Sequence, residues 1–130
     1  VDPWTKDWEA FCKTGKGHPI APRWHQWVGA LGMMLRVIRD GVPVLLLDDD
    51  GIGKTMQVLM VIALYQLFRR HREKHGRFPG AFAKYKCKTP DGNLPDRPHM
   101  IVVPTCLKEQ WEGEIHRFLR WGAFDLIPYQ

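Results

Sequence analysis

The residues best suited to chemistry form one run, Asp48-Asp49-Asp50-Gly51-Ile52-Gly53-Lys54-Thr55. A phosphate chain can be wrapped by backbone N–H groups only where side chains do not block their approach, which Gly51 and Gly53 allow. If a helix starts at this point, its N-terminus adds partial positive charge. Lys54 then supplies a formal charge within reach of β- and γ-phosphates, and the Thr55 hydroxyl is placed to ligate Mg²⁺. The spacing therefore outlines a site for a nucleoside triphosphate and its cation. It is a variant, because the full phosphate-loop pattern asks for glycine five positions before Gly53, where Asp48 stands.

Such a loop needs a strand before it and a helix after it. Val42 to Leu47 is a continuous apolar run and is expected as a strand buried on both faces of a parallel sheet. Thr55 to about Arg70 carries Met56, Leu59, Met60, Ile62, Ala63, Leu64, Leu67 and Phe68 and is expected as a largely buried helix. Upstream, Trp27, Ala30, Leu31, Met34, Leu35 and Ile38 recur at helical spacing over 26–39, and Asp40-Gly41 ends the pattern. Downstream, Met100 to Val103 reads as a second strand, Leu107, Trp111, Ile115, Phe118 and Leu119 as the stripe of a third helix, and Phe124 to Tyr129 as the start of a third strand. Alternating strands and helices predict an α/β fold with an open parallel sheet and right-handed crossovers, the phosphate loop lying at the carboxyl end of a strand.

The 130 residues suffice for one compact domain. Apolar residues at 45% and charged residues at 25% exclude wholesale disorder and a coiled-coil rod. The longest nearly apolar stretch, 58–68, is too short to span a bilayer. Residues 1–22 form an aromatic segment and turn-rich linker, and Val1 in first place suggests a piece of something longer. The formal charge is +5, but 69–99 alone holds nine basic and three acidic residues, so the rest of the chain is at −1. Four prolines and no sustained period make 71–99 read as a long basic surface insertion, and its charge is compatible with a phosphate backbone as partner. Three widely spaced cysteines, Cys12, Cys87 and Cys106, fit a reducing compartment.

Three segments together resemble the Swi/Snf family of helicase-like, DNA-stimulated ATPases of superfamily two. The family's phosphate loop, Ala-Asp-Asp/Glu-Met-Gly-Leu-Gly-Lys-Thr followed by an apolar residue and Gln, is similar to Leu47 through Gln57. Arg23-Trp24-His25-Gln26-Trp27-Val28-Gly29 looks like its adenine-side motif. Ile101-Val102-Val103-Pro104-Thr105-Cys106-Leu107, with Trp111 beyond, is similar to motif Ia. The likeness implies a P-loop, RecA-like parallel sheet with flanking helices, 23–130 being the first part of lobe one and therefore an incomplete lobe. It also implies ATP and Mg²⁺ as ligands. Gln26, Asp49, Gly51, Ile52, Gly53, Lys54 and Thr55 would bind ATP, Thr55 would reach the metal, and Pro104, Thr105 and Cys106 would face DNA. Double-stranded DNA or nucleosomes, the remainder of lobe one and a second RecA-like lobe would be the partners, and the nucleus the location in a eukaryote, otherwise the cytoplasm. No membrane association is implied.

Two departures bear on function. Leu47 replaces a small residue, and Asp50 replaces Met, adding a carboxylate near a polyanion's place. Hydrolysis also needs a carboxylate pair to hold Mg²⁺ and an arginine for the transition state. The family supplies these from an Asp-Glu-x-His box and a second lobe that these 130 residues do not contain, so the chain alone is expected not to turn ATP over. The alternative is a truncated or degenerate nucleotide-binding module without hydrolysis. An unrelated P-loop kinase or GTPase is disfavoured by the Gln26 and Pro104 segments. A zinc site from His71, His75, Cys87 and His99 is disfavoured by spacing, and Cys12 and Cys106 lack a base partner for nucleophilic catalysis. Trp111, Ile115 and Phe118 read as core rather than a base-stacking platform. Thr105 is a candidate N-cap of the third helix as well as a DNA contact.

Overall fold

The structure, a computed structural model, describes residues 22–47, 53–119 and 122–129. Helix α1 (Trp24–Leu35) runs on through a π-helical turn (Arg36–Asp40). Helix α2 spans Lys54–His75, short 3₁₀ turns follow at Gly80–Lys84 and Thr105–Leu107, and α3 spans Lys108–Phe118. Helix α1 packs on α2, and α2 touches α3.

The buried line of α1 is Gln26, Ala30, Met34 and Ile38, one flank away from the stripe that Trp27 and Leu31 suggested. Trp27 and Leu31 are instead exposed. A four-residue step overshoots a 3.6-residue turn by about 40°, and the wider π turn offsets that drift so that Ile38 still faces the core. The helix stops at Gly41, whose left-handed φ of 63° lets its N–H reach the Arg36 carbonyl at 2.9 Å. In α2 the helical pattern continues one turn past Arg70. Arg72, Lys74 and His75 lie in the last turn, where positive charge suits the helix dipole, and Gly76 closes it with φ 74°.

The expected parallel sheet is not found, and the α/β assignment is corrected accordingly: the described residues are helical and contain no β-strand. Val42–Leu47 and Met100–Val103 have irregular, unladdered backbone, and Leu45, Leu47, Met100 and Val102 are about four-fifths exposed or more. The run 124–129 is likewise irregular, with Ile127 and Tyr129 exposed. An apolar run encodes a gain on burial, but a strand exists only through hydrogen bonds to neighbours, and a central parallel strand needs one on each side. Neither condition is met here. Helix α3 also differs from expectation, since none of its residues is fully buried and Trp111, Ile115 and Phe118 are half-covered.

The core lies where the insertion meets the helices. Met34 and Ile38 of α1 and Phe68 of α2 cluster with Phe78, Cys87 and Leu94. Residues 76–99 are thus a packed module rather than a loose surface loop. The Phe68 ring stands 6.3 Å from Phe78 and 5.0 Å from Phe82, and the Arg72 guanidinium lies 5.1 Å over the Phe78 ring. A polar turn locks the far side. Thr89 Oγ1 and the Asn93 N–H both donate to Asp91 Oδ1 at 3.1 Å, and Asn93 Nδ2 donates to the Arg69 carbonyl at 3.1 Å. The Tyr65 hydroxyl donates to the Pro95 carbonyl at 2.7 Å. No helix among the described residues is long and apolar enough to cross a membrane.

Candidate functional site

Gln26 and Gly53, 27 residues apart in two of the segments that carry the family resemblance, meet where the N-termini of α1 and α2 come together. Gln26 makes the connection. Its Oε1 accepts from the Arg23 N–H at 2.7 Å, half of a capping box that ties down the start of α1. Its Nε2 donates to the Gly53 carbonyl at 3.4 Å. Gly53 is the N-cap of α2, with φ 83° in the left-handed region, and a Cβ there would collide with Gln26 Nε2. Glycine is required at this position by both backbone and space.

A second contact of the same kind runs in the opposite sense. Gln57 of α2, 1% exposed, packs against Gly29 of α1, where an added Cβ would lie 2.5 Å from Gln57 Oε1. Each helix therefore presents a glutamine to a glycine of the other. The sequence resemblance marked all four residues, but only the packing shows why both glycines must lack a side chain.

Lys54 and Thr55 occupy the first turn of α2, partly exposed. The internal ladder begins with the Gln57 N–H to the Gly53 carbonyl at 3.2 Å, so the amides before it point out of the helix end. No acidic residue lies in that first turn, leaving the partial positive charge of the end unopposed within it. Asp48, Asp49, Asp50, Gly51 and Ile52 lie outside the described residues. The amides, the ammonium and the hydroxyl at Gly53–Thr55 fit a phosphate group with its cation: donors for the anion, one oxygen for a hard metal.

Pro104, Thr105 and Cys106 are exposed and form the entry to α3. Thr105 opens a 3₁₀ turn closed by the Leu107 N–H to the Pro104 carbonyl at 2.9 Å. The N-cap of α3 is Leu107, not Thr105, and makes no side-chain cap. Cys87 is buried with its thiol pushed up by burial, whereas Cys106 is exposed. Cys12 is outside the described residues. His99, which stands edge-on to Tyr65 at 5.0 Å, has its pKa lowered by burial. Among the described residues no three His, Cys, Asp or Glu side chains group as a metal site.

The family described as the SNF2-related domain matches residues 25–130. The chain belongs to that family. Over 95 residues, 73% of the chain, it is 30% identical to the ATP-dependent helicase BRM of Arabidopsis thaliana. The matched stretch is 3% of that SNF2-family relative's length. No solved structure matches the chain.

Proposed function

We propose that this chain is the ATP-binding segment of a Swi/Snf-like, DNA-dependent ATPase that acts on double-stranded DNA or chromatin, in the nucleus where the source is eukaryotic. The convergence of Gln26 on Gly53 carries the reading. A primary amide has two N–H donors and two acceptor lone pairs. With its bonds to Gly53 and Arg23 kept, Gln26 still has one of each. An adenine edge offers the complementary pair, an amino donor beside a ring-nitrogen acceptor, whereas guanine offers two acceptors there.

In this reading Asp49 and the amides of Gly51, Ile52 and Gly53 line the phosphate path, Lys54 holds the terminal phosphates, and Thr55 ligates Mg²⁺. The cation would bridge phosphate oxygens and neutralise their charge. Pro104, Thr105 and Cys106 would face the DNA backbone. The ATP-dependent character of the BRM helicase supports the assignment. The second reading, nucleotide binding without turnover, is favoured by Asp50, which sets a third carboxylate beside Asp48 and Asp49 where the family has methionine.

Calorimetric titration with Mg-ATP and Mg-GTP tests the adenine assignment. The wild-type chain should prefer ATP by about tenfold or more, the scale of one bidentate amide–base pair. Gln26→Ala should erase most of that preference. Equal affinities for the two nucleotides in the wild type would contradict it.

A further inference from the structure

The basic module has an ordered charged edge that the nucleotide site does not use. Along Lys84-Tyr85-Lys86-Cys87-Lys88 burial alternates: the lysines are exposed, Cys87 is in the core cluster, and Tyr85 packs against it. Tyr85 is extended, with φ −104° and ψ 155°, and the Cys87 N–H is held by the Gly92 carbonyl at 2.8 Å. Tyr85 and Cys87 pack toward the core, while Lys84, which ends the 3₁₀ turn, Lys86 and Lys88 are left exposed on either side of them.

The acids of residues 76–99 and of the adjoining helix ends have other partners. Glu73 and Asp96 both reach Arg69, at 3.4 and 3.7 Å. Asp91 is spent on Thr89 and Asn93. Asp40 is bound by Arg39 at 2.8 Å, with Arg36 and Lys88 also within its electrostatic reach. No ion pair among the described residues involves Lys84, Lys86 or Lys88, and Lys84 instead lies 5.2 Å from the Tyr85 ring.

We propose that Lys84, Lys86 and Lys88 form a ridge that binds the phosphate backbone of duplex DNA, separate from the nucleotide site. Protein interfaces are anchored by buried aromatic or apolar side chains. Here Cys87 is in the core and Tyr85 packs against it, leaving a cluster of exposed point charges suited to a repeating polyanion. Lys88 lies near Asp40 at the far end of α1 from Gln26, and fourteen helical residues put the two sites about 20 Å apart. The ridge does not depend on the nucleotide reading.

The test is fluorescence anisotropy of a labelled 20-base-pair duplex with the full chain, from about 50 to 200 mM salt. Three phosphate contacts add about 2.7 to the slope of log affinity against log salt. Substituting all three lysines by Gln should lower the slope by about that amount and weaken binding at low salt at least tenfold. Substituting all three by Arg should preserve both, showing that charge rather than altered packing is responsible. Mg-ATP affinity and thermal midpoint should be the same in all three proteins, so failure of the nucleotide assignment would leave the DNA result standing. No duplex binding by the wild type, an unchanged slope in the Gln variant, an equal loss in the Arg variant, or lysine-dependent binding to polyglutamate in place of DNA would each overturn the proposal.

Discussion

The two ends of the α1–α2 pair are held by different chemistry. At the N-terminal ends the contacts are polar and small: Gln26 on Gly53, and Gln57 on Gly29. At the other end Met34, Ile38 and Phe68 bury themselves with Phe78, Cys87 and Leu94. The first end sets hydrogen-bonding groups beside a smaller apolar patch of Ala30, Leu59 and Met60. The second supplies the hydrophobic stabilisation, and half of it comes from the module that sequence reasoning took for a surface insertion. In the proposed reading the nucleotide-binding groups and the larger apolar cluster thus lie toward opposite ends of one pair of helices.

The largest expected effect breaks the apolar end. Phe78→Ala removes a fully buried ring and should cost about 3 to 5 kcal/mol, read as a collapse of the chemical-denaturation midpoint. Leu45→Ser, in a run that a buried sheet would make essential, should change stability by no more than about 0.5 kcal/mol, because Leu45 is exposed. A larger loss from Leu45→Ser than from Phe78→Ala would reverse the comparison.

A smaller effect sharpens the polar end. Gly29→Ala forces its new methyl onto Gln57, whose side chain is fully enclosed, and should destabilise by about 1 kcal/mol, recovered in part by adding Gln57→Ala. Strictly additive denaturation energies would show that the two residues do not press on one another.

The smallest effect concerns the turn that closes the module. The Asp91 carboxyl is held below its ordinary 3.8 by the Asn93 N–H, then by the Thr89 hydroxyl. A lowered carboxyl pKa stabilises the fold above the unfolded value, and the contribution is lost as pH falls through the folded one. Asp91→Asn should therefore lower the melting temperature slightly near pH 6, and the difference should begin to shrink only as pH falls below about 4. A difference that grows in acid would refute the assignment.

What could be read from sequence divides along the same line. Apolar periodicity gives helices over 26–39 and from Thr55 to about Arg70, short of the observed ends, and the resemblance assigns Gln26 and Gly51–Thr55 to one nucleotide site without implying their contact. The sheet was not found because apolar runs such as Val42–Leu47 specify a preference for burial but not a partner for their backbone. The packing of the insertion is not legible because its proline and glycine turns hide three isolated core residues, Phe78, Cys87 and Leu94, in a basic background without period. The alternation Lys84-Tyr85-Lys86-Cys87-Lys88 was the legible signal, a period of two that the net charge obscured.

The most direct test of the central claim is a calorimetric titration of Mg-ATP into the wild-type chain and Lys54→Ala, with far-ultraviolet circular dichroism of both. The account predicts saturable binding by the wild type, loss of binding in the variant, and superimposable spectra. Equal affinity in the two proteins would contradict the assignment of Gly53–Thr55 as a triphosphate site.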